Sequence, residues 1–298
     1  MSVDILTRLL LGRMLLLRHE TKYLGLSLRS LARRNASATA SIVAPDGPVV
    51  SLTTYGERFK TVHLTIESIA AGNVLPSRLI LWVDEVEAFH NPTPGLKRLM
   101  NRGLELLLTE NYGPHTKYYP YVLSQPVFNG PLVTADDDLL YPRWWLAKLV
   151  EAHRLLPGAV NCFRVHRVHL DQQGVAPYLR WTPCCTAEPS LTHFGTGVSG
   201  CIYPAQVLEG LRRSGTKFLT TCPQADDVWL HVHALRAGIP VRQIRTRGLR
   251  FPFIPGTQTS GLYHNNVVNA GNDQQIRQTY TAHDVALLRQ ADAPISQS

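Results

Sequence analysis

Apolar runs alternate with amphipathic stretches over the first half of the chain. Four runs have the length and composition of buried strands: VVSLTTY (49–55), SRLILWVDE (77–85), LELLLTE (104–110) and GPLVTADDD (130–138). Stretches with helical patterns follow them at 58–72, 94–103, 116–125 and 142–158. In the first stretch, Val62, Ile66 and Ile69 recur at helical spacing. In the last one, Pro142 lies near the expected first turn, where proline is tolerated. This alternation predicts an α/β fold with a mostly parallel central sheet.

The second half of the chain is less regular. The alternating run NCFRVHRVHL (161–170) is typical of a strand, and so is IPVRQIRT (239–246). The segment PQADDVWLHVHALRAG (223–238) predicts a helix with an acidic pair at its start. The glycine-rich segment FGTGVSGCIYP (194–204) lacks the Lys-Ser/Thr ending of a phosphate loop. It is either a wall that lets a bound sugar approach the backbone closely or a structural turn.

The first 46 residues are strongly basic. They hold seven Lys or Arg residues against three Asp or Glu residues, which accounts for half of the net charge of +8. Their apolar stretch is interrupted by Arg13 and is shorter than the roughly 20 apolar residues that a spanning helix needs. Two interpretations stay open: a basic amphipathic helix on an anionic membrane surface, or a helix whose leucines pack on the main domain. The composition of residues 34–48 predicts a linker. We therefore expect a basic helical segment and linker at 1–46, a single domain at 47–285 and a tail at 286–298.

Composition and cysteine content narrow the class of protein. With 44% hydrophobic and 17% charged residues, the chain has the composition of a globular protein. The five cysteines are odd in number and no pair has the spacing of a zinc knuckle, so we interpret them as reduced thiols in a cytosolic protein. The positive charge favours an anionic partner, such as nucleic acid, an anionic membrane or a nucleotide-bearing substrate.

Two acidic clusters carry the candidate chemistry. Asp136, Asp137 and Asp138 come directly after the fourth predicted strand. Ligands of parallel sheets bind outside the carboxyl ends of the strands, so we expect Asp84 and the polar stretch 53–55 to open into the same cleft. Aspartates at such a place are natural ligands for Mg²⁺ or Mn²⁺. The alternative is a solvated acidic turn that caps the following helix.

Several segments together resemble a known family. VVSLTTYGERFKTVHLTIESI, LILWVDE, GPHTKYYP, VTADDDLLYPRWWL, GTGVSGCIYP, ADDVWLHVHAL and NAGNDQQ occur in this order between Val49 and Gln275. In this respect the chain resembles bacterial glycosyltransferases of the nucleotide-diphospho-sugar transferase superfamily. It is most similar to family-2-like members from polysaccharide and lipopolysaccharide gene clusters. The resemblance implies a GT-A-like, single Rossmann-type domain preceded by the basic helical segment.

The resemblance also implies roles on the donor side. Asp136 and Asp138 correspond to the outer carboxylates of the DXD motif, with Asp137 between them, although the triplet permits a shift of one position. The resemblance places Thr53 and Tyr55 beside the nucleoside and Asp84 beside its base. It places Lys117 on the diphosphate, where a lysine acts as a mobile point charge; a solvated helix lysine is the alternative.

On the acceptor side, the resemblance implies that the pair Asp226 and Asp227 opens the acceptor helix of an inverting enzyme. A carboxylate near a helix start stays ionised and can take a proton from an acceptor hydroxyl. By position we assign this base to Asp227, and we expect Asp226 to cap the helix. His264 lies where many metal-dependent members recruit a third metal ligand, and an ordinary histidine is the alternative.

The sequence thus predicts a Mn²⁺- or Mg²⁺-dependent glycosyltransferase. It would move a sugar from a nucleotide donor, a UDP-sugar, to a hydroxyl of a glycan or glycolipid, with inversion. We expect a cytoplasmic protein, peripheral on the inner face of the cell membrane. The acid clusters argue against a nucleic-acid-binding protein. A sugar nucleotidyltransferase would need a glycine-rich basic loop after the first strand, and TTYGERFK has one glycine. A non-catalytic nucleotide- or glycan-binding relative is the third alternative, and the presence of both acidic clusters argues against it.

Overall fold

The computed structural model describes residues 24–258 and 271–293. Its strands are β1 (Val49–Thr53), β2 (Arg78–Val83), β3 (Leu104–Leu108), β4 (Leu132–Thr134), β5 (Val160–Cys162), β6 (Val165–Arg167), β7 (Leu170–Asp171), β8 (Gly174–Val175), β9 (Thr182–Pro183), β10 (His193–Gly195), β11 (Cys201–Tyr203) and β12 (Val241–Gln243). Its helices are α1 (24–37), α2 (Val62–Ala70), α3 (Val86–His90), α4 (Pro94–Met100), α5 (Tyr119–Ser124), α6 (Trp145–Leu155), α7 (Ala205–Ser214), α8 (Phe218–Thr221), α9 (Asp226–Arg236), α10 (Gly271–Thr279) and α11 (Ala282–Asp292).

Seven of these strands form the central sheet, in the order β12-β5-β11-β4-β1-β2-β3. Strand β11 runs antiparallel to both of its neighbours, β4 and β5. The other neighbouring strands in this sheet are parallel. The predicted α/β fold with a mostly parallel sheet is therefore confirmed.

Strand β2 shows why the apolar runs became central strands. Successive side chains of a strand point to opposite faces of the sheet. Leu79 and Leu81 pack in one apolar cluster, and Ile80 and Trp82 pack in a second cluster. A strand covered on both faces is apolar at consecutive positions, as this run is.

Two predicted elements differ from the structure. The run 161–170 is not one strand: β5 belongs to the central sheet, whereas β6 pairs with β9 and β10 in a separate three-stranded sheet. The chain changes sheet between them, where the N–H of Phe163 donates to the carbonyl of Gly200 at 3.4 Å. The helix expected from Pro142 begins at Trp145.

The segment expected to be a linker packs on the domain. Ile42 is fully buried in the core. Upstream of Ile42, Arg34 Nε lies 2.9 Å from the carboxylate of Glu67, which is fully buried. The same carboxylate lies 2.8 Å from Arg102 Nη1. Asn35 Nδ2 donates to the carbonyl of Gly95 at 3.1 Å. The described part of the N-terminal helix is thus docked on α2 and α4.

The remainder of the basic segment, residues 1–23, lies outside the described residues. The membrane interpretation therefore stays a prediction. Among the described helices, none combines the length and the apolarity required to cross a bilayer. The expected domain boundaries also stay predictions, and position 285 falls within α11.

Candidate active site

The acidic triplet lies at the carboxyl end of β4, as predicted, and two of its side chains are held by a single arginine. Asp137 is buried, and its carboxylate accepts hydrogen bonds from Thr54 Oγ1 at 2.7 Å and from Arg58 Nη1 at 2.8 Å. The same guanidinium nitrogen lies 3.1 Å from Asp138 Oδ2. Gln258 Nε2 donates to this Asp138 oxygen at 2.7 Å. The triplet is therefore a structured cluster rather than a solvated turn.

Lys117 joins the two acidic clusters. It is the last residue of a 3₁₀ turn, Gly113–Lys117, which precedes α5. Its Nζ lies 3.2 Å from Asp136 Oδ1 and 3.0 Å from Asp226 Oδ2. Both carboxylates raise the pKa of this half-buried lysine well above its ordinary value, although burial opposes them. The fold thus brings the end of β4 and the start of α9 together in one site.

Asp227 lies beside this bridge. It is half-buried, and its Oδ1 accepts a hydrogen bond from the backbone N–H of Gly197 at 2.9 Å. Burial, followed by the negative charge of Asp226, raises the pKa of Asp227 to about 7. The positive charge of Lys117 and the Gly197 N–H oppose this increase. A carboxylate with a pKa near neutrality is suited to accept a proton from a hydroxyl group.

The expected capping role of Asp226 is wrong. The N-cap residue of α9 is Ala225, and no side chain caps this helix end. The Asp226 carboxylate is drawn to Lys117 instead, because an ammonium group close by stabilises a buried charge more than a backbone N–H does.

The site carries more negative than positive charge. Its five aspartates face two described cations, Arg58 and Lys117. Burial and the nearby Asp136 raise the pKa of Asp138 to about 7, because the ionised form lacks sufficient compensation. A cluster in this state can take up either a proton or a cation.

Two carboxylates of the triplet have the donor chemistry that a divalent cation requires. Asp136 and Asp138 offer hard oxygen donors, and Mg²⁺ commonly binds through one or two carboxylates together with phosphate oxygens and water. The described residues contain no group of three His, Cys, Asp or Glu side chains arranged around a metal position. His264, expected as a further ligand, lies outside the described residues.

The residues expected on the donor side lie at the ends of β1 and β2. Thr53 Oγ1 donates to the carbonyl of Trp82 at 3.1 Å. Tyr55 is exposed, and the guanidinium carbon of Arg58 lies 5.5 Å from the centre of its ring. Asp84 is half-buried beside Asn111, and burial raises the pKa of its carboxyl group. The roles assigned to these residues, and that of Lys117 on a diphosphate, stay predictions.

Three residues of the site were not predicted from the sequence. Arg58 and Gln258 contact the triplet as described, and the hydroxyl of Tyr141 accepts a hydrogen bond from the N–H of Asp136 at 2.8 Å. The position of Arg58 shortly after the polar end of the first strand was a signal that could have identified it. We find no comparable signal around Gln258.

No protein-family model and no curated protein sequence matches this chain. Among solved structures, it is similar to the mannosyltransferase PcManGT from Pyrobaculum calidifontis in complex with GDP-Man and Mn²⁺, at 15% identity over 93% of this chain and 78% of that one, with a TM-score of 0.49. It is similar to GalNAc-T7 with UDP, GalNAc and Mn²⁺ at 11% identity over 76% and 48% of the two chains, with a TM-score of 0.43.

A third similar structure is CMP:2-keto-3-deoxy-manno-octonic acid synthetase complexed with CTP, at 12% identity over 76% of this chain and 99% of that one, with a TM-score of 0.40. Similarities this distant do not identify a reaction, which depends on the side chains of the site.

Proposed function

We propose that this protein is a glycosyltransferase that moves a sugar from a nucleotide-diphospho-sugar, a UDP-sugar, to a hydroxyl of a glycan or glycolipid. One observation carries the proposal: the Lys117 ammonium group joins Asp136, at the end of a parallel strand, to Asp226, at the start of α9. A transferase needs one group that handles a diphosphate and another that activates an acceptor, held close together. The two acidic clusters supply both.

On the donor side, Asp136 and Asp138 would hold Mn²⁺ or Mg²⁺. When bound, such a cation neutralises charge that develops on a departing diphosphate. Thr53, Tyr55 and Asp84 lie at the strand ends, where the nucleoside of the donor would bind. Lys117, already between two carboxylates, would add positive charge close to the diphosphate.

On the acceptor side, Asp227 would act as the general base. Its Oδ1 is engaged by the Gly197 N–H, so Oδ2 would take the proton of the acceptor hydroxyl. The acceptor oxygen would then form a bond to the anomeric carbon while the bond from that carbon to the diphosphate oxygen breaks. Direct displacement of this kind inverts the anomeric configuration.

A screen of nucleotide sugars tests the proposed activity. The full chain is incubated with each donor and Mn²⁺, with and without a chelator, and release of the nucleoside diphosphate is measured. We expect metal-dependent release with a UDP-sugar, and a much slower rate for Asp227→Asn. Release of inorganic pyrophosphate from a nucleoside triphosphate and a sugar phosphate would identify a nucleotidyltransferase instead. Nucleotide binding without any turnover would identify a binding module.

The basic N-terminal segment supports a proposal for where the acceptor lies. On the exposed surface of α1, Leu26 is 55% exposed and the side chains of Arg29 and Arg33 face solvent. Such a surface is suited to anionic lipid headgroups. We propose that the enzyme works peripherally at the inner face of the cell membrane, on acceptors that the membrane carries.

A further inference from the structure

The backbone passes unusually close to Asp227 at Gly197. A Cβ atom on residue 197 would lie 2.7 Å from Asp227 Oδ1 and 3.4 Å from Lys117 Nζ. The first distance is shorter than real Cβ contacts, so a larger residue would push the carboxylate or the loop away. A side chain at position 197 would therefore disturb the 2.9 Å hydrogen bond between the N–H of residue 197 and Oδ1.

The loop that carries Gly197 is held in a strained conformation. Ser199, which is fully buried, has a φ of 78°, a value that residues other than glycine rarely adopt. Its carbonyl accepts a hydrogen bond from Trp145 Nε1 at 2.8 Å, and its Oγ donates to the carbonyl of Leu249 at 2.9 Å. Strain of this kind persists only where the surroundings enforce it, and it concentrates at functional sites.

The next residue, Gly200, packs against the same tryptophan ring. A Cβ atom on Gly200 would lie 2.7 Å from the ring of Trp145. The Gly200 N–H donates to the carbonyl of Gly197 at 2.9 Å, which closes a tight turn. Trp145 thus contacts both Ser199 and Gly200. Its own side chain is almost completely buried.

We propose that residues 196–200, braced by Trp145, form a positioning loop that fixes the orientation of the Asp227 carboxylate. This inference rests on the proposed function, in which Asp227 is the base. Oδ1 is tied to the loop, and no described residue forms a hydrogen bond with Oδ2, which leaves that oxygen for the acceptor hydroxyl. Gly197 is a positioning residue in this scheme, because it acts through Asp227.

The groups around Asp227 predict how the loop affects its ionisation. The charged or titratable groups that face it are Asp226, Lys117, Asp136, Cys162 and Tyr203. The pKa values of the last two are raised well above their ordinary values, so they stay neutral near pH 7. The Gly197 N–H lowers the pKa of Asp227. Loss of this hydrogen bond should therefore raise that pKa and leave less of the base ionised at neutral pH.

The test compares Gly197→Ala with Gly158→Ala, a matched control in which the added methyl group meets no atom within 4 Å. We expect Gly197→Ala to lower kcat about 10- to 100-fold, less than removal of a general base. The acidic limb of its pH–rate profile should shift to higher pH, and its affinity for UDP with Mn²⁺ should change much less than kcat. The control should match the wild type in all three measurements.

If Gly197→Ala does not fold, Trp145→Phe tests the positioning role of the loop. This substitution removes the indole donor and keeps an aromatic ring. A folded Trp145→Phe variant should show the same shift of the pH profile, in a smaller degree. If the wild type transfers sugar and the folded variants keep its kcat and pH profile, the positioning role is wrong while the proposed function stands. A wild type that transfers no sugar overturns the proposed function, and the positioning role with it.

Discussion

Asp226 and Asp227 are neighbours in the sequence but have different surroundings. Asp226 is buried and faces Lys117 at 3.0 Å. Asp227 is half-buried, accepts the N–H of Gly197, and has a pKa raised to about 7. At the scale of single residues, this difference is why we propose Asp227, and not its ion-paired neighbour Asp226, as the proton acceptor.

Substitution of these two residues should therefore have separable effects. Asp227→Asn keeps the size of the side chain but cannot accept a proton, so we expect kcat to fall about 10²–10⁴-fold while UDP affinity stays normal. Asp226→Asn removes one of the two partners of Lys117, and we expect it to lower the free energy of unfolding by up to about 3 kcal/mol. Transfer kinetics, UDP titration and denaturant unfolding check these outcomes. If Asp226→Asn abolishes transfer and Asp227→Asn does not, the two roles are exchanged.

The raised pKa of Asp227 predicts the pH dependence of transfer. The proposed base works only as the carboxylate, so kcat/KM should rise with pH and reach half of its maximum near pH 7. Below that pH the carboxyl group is protonated, and the rate should fall about tenfold per pH unit. A profile of kcat/KM from pH 5 to 9 measures this limb. An acidic limb at the ordinary pKa of an aspartate, about 4, would show that another group or another step controls the rate.

The triplet predicts a metal requirement that one substitution can test. Asp138→Asn should abolish the Mn²⁺-dependent part of UDP binding and leave the fold intact, as measured by titration calorimetry and by circular dichroism. Asp137→Asn is the matched control. It removes the charge that faces Arg58 and one of the two oxygens that accept from Thr54 and Arg58, so it should lower stability more than it lowers metal-dependent binding. Full activity of Asp138→Asn in a chelator would refute the DXD assignment.

At the scale of elements, one buried carboxylate docks the N-terminal helix. Glu67 on α2 is completely buried and contacts Arg34 on α1 and Arg102 after α4. Arg102 is also nearly inaccessible, with 3% of its side chain exposed. The negative charge of Glu67 thus joins α1, α2 and the segment after α4. Without this charge, the buried guanidinium group of Arg102 would have no carboxylate partner here.

Glu67→Gln should therefore destabilise the protein strongly. The variant leaves the charge of Arg102 uncompensated, and we expect the free energy of unfolding to fall by about 3–5 kcal/mol. Glu105→Gln is the control, since its partner Arg78 forms a bidentate pair at 2.7 and 2.8 Å in a half-exposed position. Its loss should cost about 0.2–1 kcal/mol. Equal effects of the two substitutions in urea unfolding would contradict the docking role of Glu67.

At the scale of the whole molecule, charge is segregated. The net charge is +8, with half of it in the first 46 residues. Among the described residues, the site places five aspartates around two cations, Arg58 and Lys117. A basic end and an acidic centre suit a protein that is attracted to an anionic surface and concentrates cations at its site.

Truncation of the basic end tests this arrangement. Because Arg34 and Asn35 dock on the domain, the truncation should remove residues 1–23 only. We expect the full chain to sediment with anionic vesicles at low salt. The truncated chain keeps Leu26, Arg29 and Arg33 and should bind them more weakly, with unchanged turnover on a soluble acceptor. Added salt should weaken the binding, because it screens the attraction. Neutral vesicles serve as the control. If the full chain does not bind anionic vesicles at low salt, the basic segment packs on its own domain.

The sequence by itself determined the four buried strands of the first half of the chain, β1 to β4. The continuous apolar run of β2 required cover on both faces, and the polar residues after β1, β2 and β4 had to lie at one edge of a parallel sheet. These properties depend on periodicity within a few residues, which the sequence shows directly.

Only the tertiary structure decided which side chains meet. Several contacts of the site join distant segments of the chain. Lys117 lies between Asp136 and Asp226, Arg58 contacts the acidic triplet, and the N–H of Gly197 donates to Asp227. The same holds for the break between β5 and β6, where the chain passes from one sheet to another. Such contacts depend on how all the elements pack, and periodicity within a segment does not specify the partner of a charged side chain.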